Sequence, residues 1–168
     1  MSQDDTGRSD PPPTNTNLDK SNRSSDGLDL DTSLGYLLKQ AASVLHIAMD
    51  AVLRPQGMTI THYACLELLA QRPGLSNSEL ARGAFVTRQS MNTLLQAMER
   101  DGLVTRPDHP PVGRILPTEL TALGRQQLET ASAAVKTVEH RVRSGLDTNQ
   151  QVQLRHLLTN CIDSLTDR

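Results

Sequence analysis

The sequence predicts a mainly α protein with a small two- or three-stranded wing, a winged helix-turn-helix built into an obligate-type helical dimer. Three features lead there. Apolar residues recur at three-and-four spacing near both ends of the chain. Between them, "SNSELARGAFVTRQSMNTLLQAMERDGLV" reads as two short helices with barely three residues separating them. That pair runs directly into "TRPDHPPVGRILP", a proline-stiffened loop between two short extended runs.

The first helix carries Leu34, Leu37, Leu38, Ala41, Leu45, Ala48, Met49 and Val52 on one stripe and stops at "RPQG", where Pro55 and Gly57 break it. A second helix is expected after Thr61 as N-cap, with Tyr63, Leu66, Leu69 and Ala70 on its apolar side. Ser76 and Glu79 have the spacing of a capping box, in which hydroxyl and carboxylate each satisfy an orphan backbone donor. The third helix therefore starts here and ends near Ala84. Thr87 is the next N-cap, opening a helix that buries Met91, Leu94, Leu95 and Met98 and ends at Gly102, where a left-handed C-cap is easiest. "LVTR" and "RILP" are the expected strands, with Pro117 confining the second to an edge. A long helix follows from about Leu120 to Ser144, striped by Leu120, Leu123, Leu128, Ala131, Val135, Val138 and Val142. The last helix begins at Asp147, which forms a box-like cap with Gln150, and carries Leu154, Leu157, Leu158, Cys161, Ile162 and Leu165.

This order divides the chain into a disordered tail (1–33), a dimerisation helix (34–57), a winged helix-turn-helix (58–119) and C-terminal dimerisation helices (120–168). The tail has too few apolar residues to offset its chain entropy. It has no apolar h-region of a signal peptide, and its acids argue against a mitochondrial presequence, so a cytoplasmic protein is expected. No apolar run is long enough to span a bilayer.

The formal charge of −2 hides a division along the chain. Seven Asp/Glu and three Lys/Arg lie in the first 33 residues, leaving 12 and 14 for the rest. A balance of +2 permits binding to duplex DNA without announcing it, so the case rests on where polar groups sit. Opposite the apolar side of the helix opened by Thr87 lie Arg88, Gln89, Asn92, Thr93 and Gln96. An α-helix fits the B-DNA major groove, and Gln or Asn near its N-terminus can pair with adenine edges. Gln89, Asn92 and Thr93 are the candidate base readers; Thr87, Arg88 and Ser90 are the candidate phosphate contacts at the positive helix end. Arg114, just after the loop glycine, is placed to enter an adjacent minor groove. One Phe, two Tyr and no Trp offer few stacking platforms for single strands. The simpler alternative is an αα-hairpin inside a bundle, which the wing-like hairpin disfavours.

From Leu34 to about Leu165 these residues resemble the MarR family of winged-helix transcriptional regulators. "PGLSNSELARGAFVTRQSMNTLLQAMERDGLVTR" is similar to the family's central block, and "LTALGRQ" to its post-wing "LTxxG" segment at Leu120 to Gly124. The resemblance implies a homodimer in which the first and last two helices of each subunit interlock, presenting two winged helices to an inverted-repeat operator. The apolar stripes at the chain ends agree, because they exceed what one small core needs. One departure concerns the wing: the family usually has an Asp two residues before its Arg, whereas Val112 and Gly113 precede Arg114 here. The reading is of a repressor released by a small molecule.

The resemblance also implies a crevice for small aromatic or lipophilic effectors between the dimerisation helices and the winged helix. His46, Met49 and Tyr63 are its candidate lining; the alternative is that they are ordinary core residues. In peroxide-sensing relatives a reactive cysteine stands near the start of the first helix, where Gly35 lies here. Cys65 and Cys161 lie among Leu and Ala on helices, where burial blunts a thiol. His46 with Asp50, and His62 with Cys65, share helix faces and could each supply half a metal site, but neither pair has a third ligand near it in sequence. No metal or cofactor is therefore expected. His109, His140 and His156 read as solvated surface groups. No phosphate loop, nucleophile elbow or His-Glu-x-x-His motif suggests an enzyme. A metal- or redox-responsive regulator of the same fold, and a helical interaction module without DNA binding, are the competing functions.

Overall fold

A computed structural model of the protein describes residues 29–106 and 117–166. The chain runs α1 (Leu34–Leu53), a single 3-10 turn (Arg54–Gln56), α2 (Ile60–Gln71), α3 (Asn77–Gly83), α4 (Arg88–Arg100), β1 (Val104–Thr105), β2 (Glu119–Leu120), α5 (Ala122–Arg143) and α6 (Thr148–Thr166). Residues Leu30–Thr32, assigned to the tail from sequence, form a turn just before α1, and the Ser33 hydroxyl caps that helix by accepting from the Tyr36 N–H at 3.2 Å.

Helix α2 starts two residues earlier than expected. Thr59, not Thr61, is its N-cap, accepting from the His62 N–H at 3.1 Å. Both threonines can cap, but Met58 is buried and the chain enters the helix directly after it, so Thr61 falls inside the first turn.

The strand that pairs with β1 lies just before α5. Glu119 and Leu120 pair antiparallel with Thr105 and Val104, and Thr118 bridges Leu75 ahead of α3. The expected strand "RILP" lies outside the described residues except for Pro117, which has no N–H and precedes the ladder. Leu120 is thus a buried strand residue rather than the first of α5, whose N-cap is Thr121. The apolar stripe of α5 is shorter than its sequence suggests: Leu128, Ala131, Val135 and Val138 are buried, whereas Leu123 and Val142 are half exposed.

One core joins these elements. Leu53 of α1, Cys65, Leu66 and Leu69 of α2, Leu80 of α3, and Met91, Leu95 and Met98 of α4 pack with Leu103, Val104, Leu120 and the buried side of α5. Leu94, expected among the buried residues of α4, only borders this core. Helices α1 and α6 contribute little to it. Leu53 is the one buried residue of α1, and α6 has none.

Gly102 and Gly124 make the junction between α4, the wing and α5. Gly102 adopts φ +72° and closes α4 as a Schellman turn, its N–H bonding to Glu99 O at 3.0 Å and that of Leu103 to Met98 O at 2.8 Å. The Leu103 carbonyl then receives the Thr121 N–H at 3.1 Å and the Thr121 hydroxyl at 3.2 Å, the latter also reaching Gly102 O at 2.7 Å. Gly124 lies against the same carbonyl so closely that a Cβ on it would sit 2.1 Å from Leu103 O. This is the physical content of the "LTxxG" segment: Thr caps α5 and ties it to the wing, and Gly lets the helix approach.

Two predictions follow from this packing. Gly124→Ala, which would help an ordinary helix interior by close to 1 kcal/mol, should here destabilise by roughly 1 to 3 kcal/mol because backbone must shift; chemical denaturation measures it. His62 has its pKa lowered from the ordinary 6.5, mainly by burial and against the pull of Asp101. The unfolded chain then binds more protons, so stability is full above 6.5 and falls as pH drops from there through the folded value. His62→Gln should flatten that acid slope in denaturation curves.

Candidate nucleic-acid interface

Local chemistry sets the two helices of the candidate site. At α3, Glu79 Oε2 accepts from the Ser76 N–H at 2.8 Å and the Ser76 hydroxyl at 2.6 Å, while the Glu79 N–H donates to Ser76 Oγ at 3.3 Å. These bonds to the ionised carboxylate hold the Glu79 pKa below its ordinary value. At α4, Thr87 is extended and its hydroxyl accepts from the Ser90 N–H at 3.1 Å, with the two hydroxyls 2.8 Å apart. The helices are tied by the Asn77 amide, which donates to the Arg88 carbonyl at 3.2 Å.

Burial decides which side of α4 faces out. Met91, Leu95 and Met98 are fully buried, and at about 2 kcal/mol each they fix the rotation of the helix by roughly 6 kcal/mol. The opposite side, Arg88, Gln89, Ser90, Asn92, Thr93 and Gln96, is exposed together with the cap Thr87. All six expected α4 site residues therefore share one solvent-facing surface. Among the described residues no carboxylate pairs with Arg88. Thr93 donates its hydroxyl proton to Gln89 O at 3.1 Å, so toward a ligand it can act only as an acceptor or through its methyl. Arg114 lies outside the described residues, as does His109. At the base of the wing Arg106 is clamped to Glu99, with Nε and Nη2 at 3.2 and 2.5 Å from one carboxylate oxygen.

The expected effector residues differ in exposure. His46 is exposed on α1, beside an open depression that it lines with Ile47, Asp50, Ala51, Arg54 and Pro55. Met49 and Tyr63 do not line that depression; both are half-buried against the core. The Tyr63 hydroxyl lies 3.4 Å from both Glu67 Oε2 on α2 and Ser132 Oγ on α5. Burial raises its pKa.

The half-sites suggested for metal gain no partners: Asp50 is paired with Arg54, and among the described residues no three His, Cys, Asp or Glu side chains converge. Cys65 is buried and its thiol is pushed up to about 12, which suppresses the thiolate. Cys161 departs from expectation, being only half-buried because the face of α6 around it is uncovered. Sequence reasoning missed Asn77, whose role depends on a residue eleven positions away, and Phe85, an exposed aromatic in the turn between α3 and α4.

Comparison with known proteins places the chain among relatives. The model of the MarR family matches residues 56–115. The HTH-type transcriptional repressor Rv2887 of Mycobacterium tuberculosis is 44% identical over 132 residues, covering 79% of this chain and 95% of that one. The structure of Rv2887 in complex with DNA aligns with a TM-score of 0.65 at 41% identity, over 78% of this chain and 98% of that one. Its complex with salicylic acid gives 0.64 at 43% identity, over 78% and 97%. Similarity of this extent, spanning the central helices and the wing alike, shows that the chain belongs to the MarR family of transcriptional regulators.

Proposed function

We propose that the protein is a cytoplasmic, homodimeric repressor that reads an inverted-repeat DNA operator through α4 and releases it when a small aromatic acid binds. The observation that carries this reading is the two-sided character of α4: Met, Leu and Met locked in the core, and Arg, Gln, Ser, Asn and Thr together in solvent. Gln89, Asn92 and Thr93 read base edges; Thr87, Arg88 and Ser90 meet phosphates at the positive end of the helix; Arg114 of the wing reaches the neighbouring minor groove.

Dimerisation follows from what α1 and α6 leave uncovered. Leu34, Leu37 and Ile47 on α1, and Leu157, Ile162 and Leu165 on α6, are all more than half exposed in the single chain. Apolar area of that extent on two long helices is the signature of an interface resembling a divided core. Pairing these faces in a symmetric dimer sets two copies of α4 about 34 Å apart, one turn of B-DNA.

Effector control needs a ligand with unequal affinity for two arrangements of the dimer. His46, Met49 and Tyr63 are the proposed contacts. Tyr63 lies where α2, on the DNA-binding side, meets Ser132 of α5, on the dimerisation side, so a ligand that displaces its hydroxyl alters the joint between the two. The complex of Rv2887 with salicylic acid supports an aromatic carboxylate as the effector class. The role is regulatory rather than catalytic.

Gln89→Ala and Asn92→Ala should each weaken binding to a selected operator by about 1 to 3 kcal/mol and relax preference at particular base pairs. Arg88→Ala should instead weaken all sequences and reduce the slope of log affinity against log salt by about 1. Both are read by fluorescence anisotropy on matched and scrambled duplexes; unchanged affinity in all three variants would remove α4 as the reader. Saturating salicylate should weaken operator binding by roughly five- to 150-fold, a coupling of about 1 to 3 kcal/mol, while bound salicylate with undiminished affinity would end the inducible model.

A further inference from the structure

Phe85 is a residue whose conformation and surroundings conflict with its chemistry. It adopts φ +56°, and among the described residues it is the one non-glycine with positive φ. Its side chain is 95% exposed. The backbone there closes α3 as a Schellman turn: the Phe85 N–H bonds to Arg82 O at 3.2 Å and the Val86 N–H to Ala81 O at 3.0 Å, with Val86 packed on the core. The end of α4 uses the same closure and places Gly102 at the equivalent position. A left-handed residue bearing a Cβ is disfavoured, and a bulky one most of all. Glycine would make the α3–α4 turn without that cost, and the ring contributes nothing visible to the core. The side chain therefore stands against local preference and is exposed rather than packed.

Its place in the fold puts it beside the polar surface of α4. Phe85 precedes Thr87, the cap of α4, by two residues, no more than about 7 Å of chain. The exposed surface of Thr87, Arg88 and Gln89 begins at that same end of the helix. We propose that Phe85 is a DNA contact: its ring, held outward by the left-handed turn, packs on apolar carbon of the duplex, either thymine 5-methyl groups or deoxyribose, beside the bases that α4 faces. This rests on the DNA-binding reading above and adds a contact that brings no charge. An apolar contact to thymine methyl is an established element of groove recognition, and a stiff ring is immobilised at low entropic cost. Left-handed backbone here separates the two demands on the turn, since the strain is borne by folding and the exposed ring serves binding.

The test uses the full chain and a 30-bp duplex that it selects from a randomised pool. Phe85→Gly and Phe85→Asn both suit a left-handed turn, so both should fold with an unchanged or higher thermal midpoint. Each should bind the selected duplex roughly tenfold more weakly, with an unchanged salt slope because no phosphate contact is lost. Replacing thymine by deoxyuridine in the same duplex distinguishes the two partners. If wild-type affinity falls to that of the variants, the methyl is the contact; if it does not change while the variants remain weak, the contact is deoxyribose. Wild-type affinity in both variants overturns the proposal, and so does a midpoint lowered by several degrees or a change in dimer elution, which would assign the ring to folding or to a protein partner. Arg88→Ala on the same duplex separates the failures: if it alone weakens binding, α4 still reads DNA and Phe85 does not touch it; if nothing weakens binding, both readings fall.

Discussion

The carbonyl of Leu103 is the point on which the arrangement of this protein turns. It accepts both the backbone N–H and the hydroxyl of Thr121, it faces Gly124 at a separation no Cβ would tolerate, and its own residue closes the C-terminus of α4. The helix that presents the polar surface, the wing and the long helix toward the dimer interface thus share one joint built mainly from backbone atoms. Backbone contacts of this kind have few alternative rotamers, so the orientation of α4 relative to α5 is set with little slack. The joint at Leu103 and the contact of Tyr63 with Ser132 are two of the places where α5 meets the winged unit, beside the shared core.

The two ends of the chain behave differently from its centre. The central helices and the wing base bury their apolar side chains within the single chain, while most of α1 and all of α6 do not. On the proposed function, the uncovered faces of α1 and α6 are where a second copy would pack. The partly buried Cys161 belongs to the same uncovered region, whereas Cys65 is sealed in the core with its thiol protonated.

What could be read from the sequence was the chemistry that acts over three or four residues. Ser76 with Glu79, Thr87, Gly102, and Asp147 with Gln150 all mark helix ends where the structure has them, because a cap is made by the residues that signal it. The exposed side of α4 was equally legible, since Met91, Leu95 and Met98 define its opposite. Features settled at longer range were not. Thr59 and Thr61 offer the same cap, and only the burial of Met58 selects the first. A strand of two residues has no periodicity, so Leu120 reads as the first residue of the neighbouring helix. The stripe of α5 overran the core at Leu123 and Val142 because spacing does not reveal where a packing partner ends. Asn77 and Phe85 escaped for a related reason: one acts through the carbonyl of Arg88, and the other is informative only once its φ angle and exposure are known.

On the proposed function, two copies of α4 enter the major groove of one duplex together. Dimethyl sulfate methylates guanine N7, which lies in that groove, so on a selected duplex carrying guanine in each half-site protection of N7 reports entry directly. The account predicts two protected tracts centred about 10 base pairs apart, related by the symmetry of the site. Protection in a single tract, or tight binding that leaves every N7 open, would contradict it.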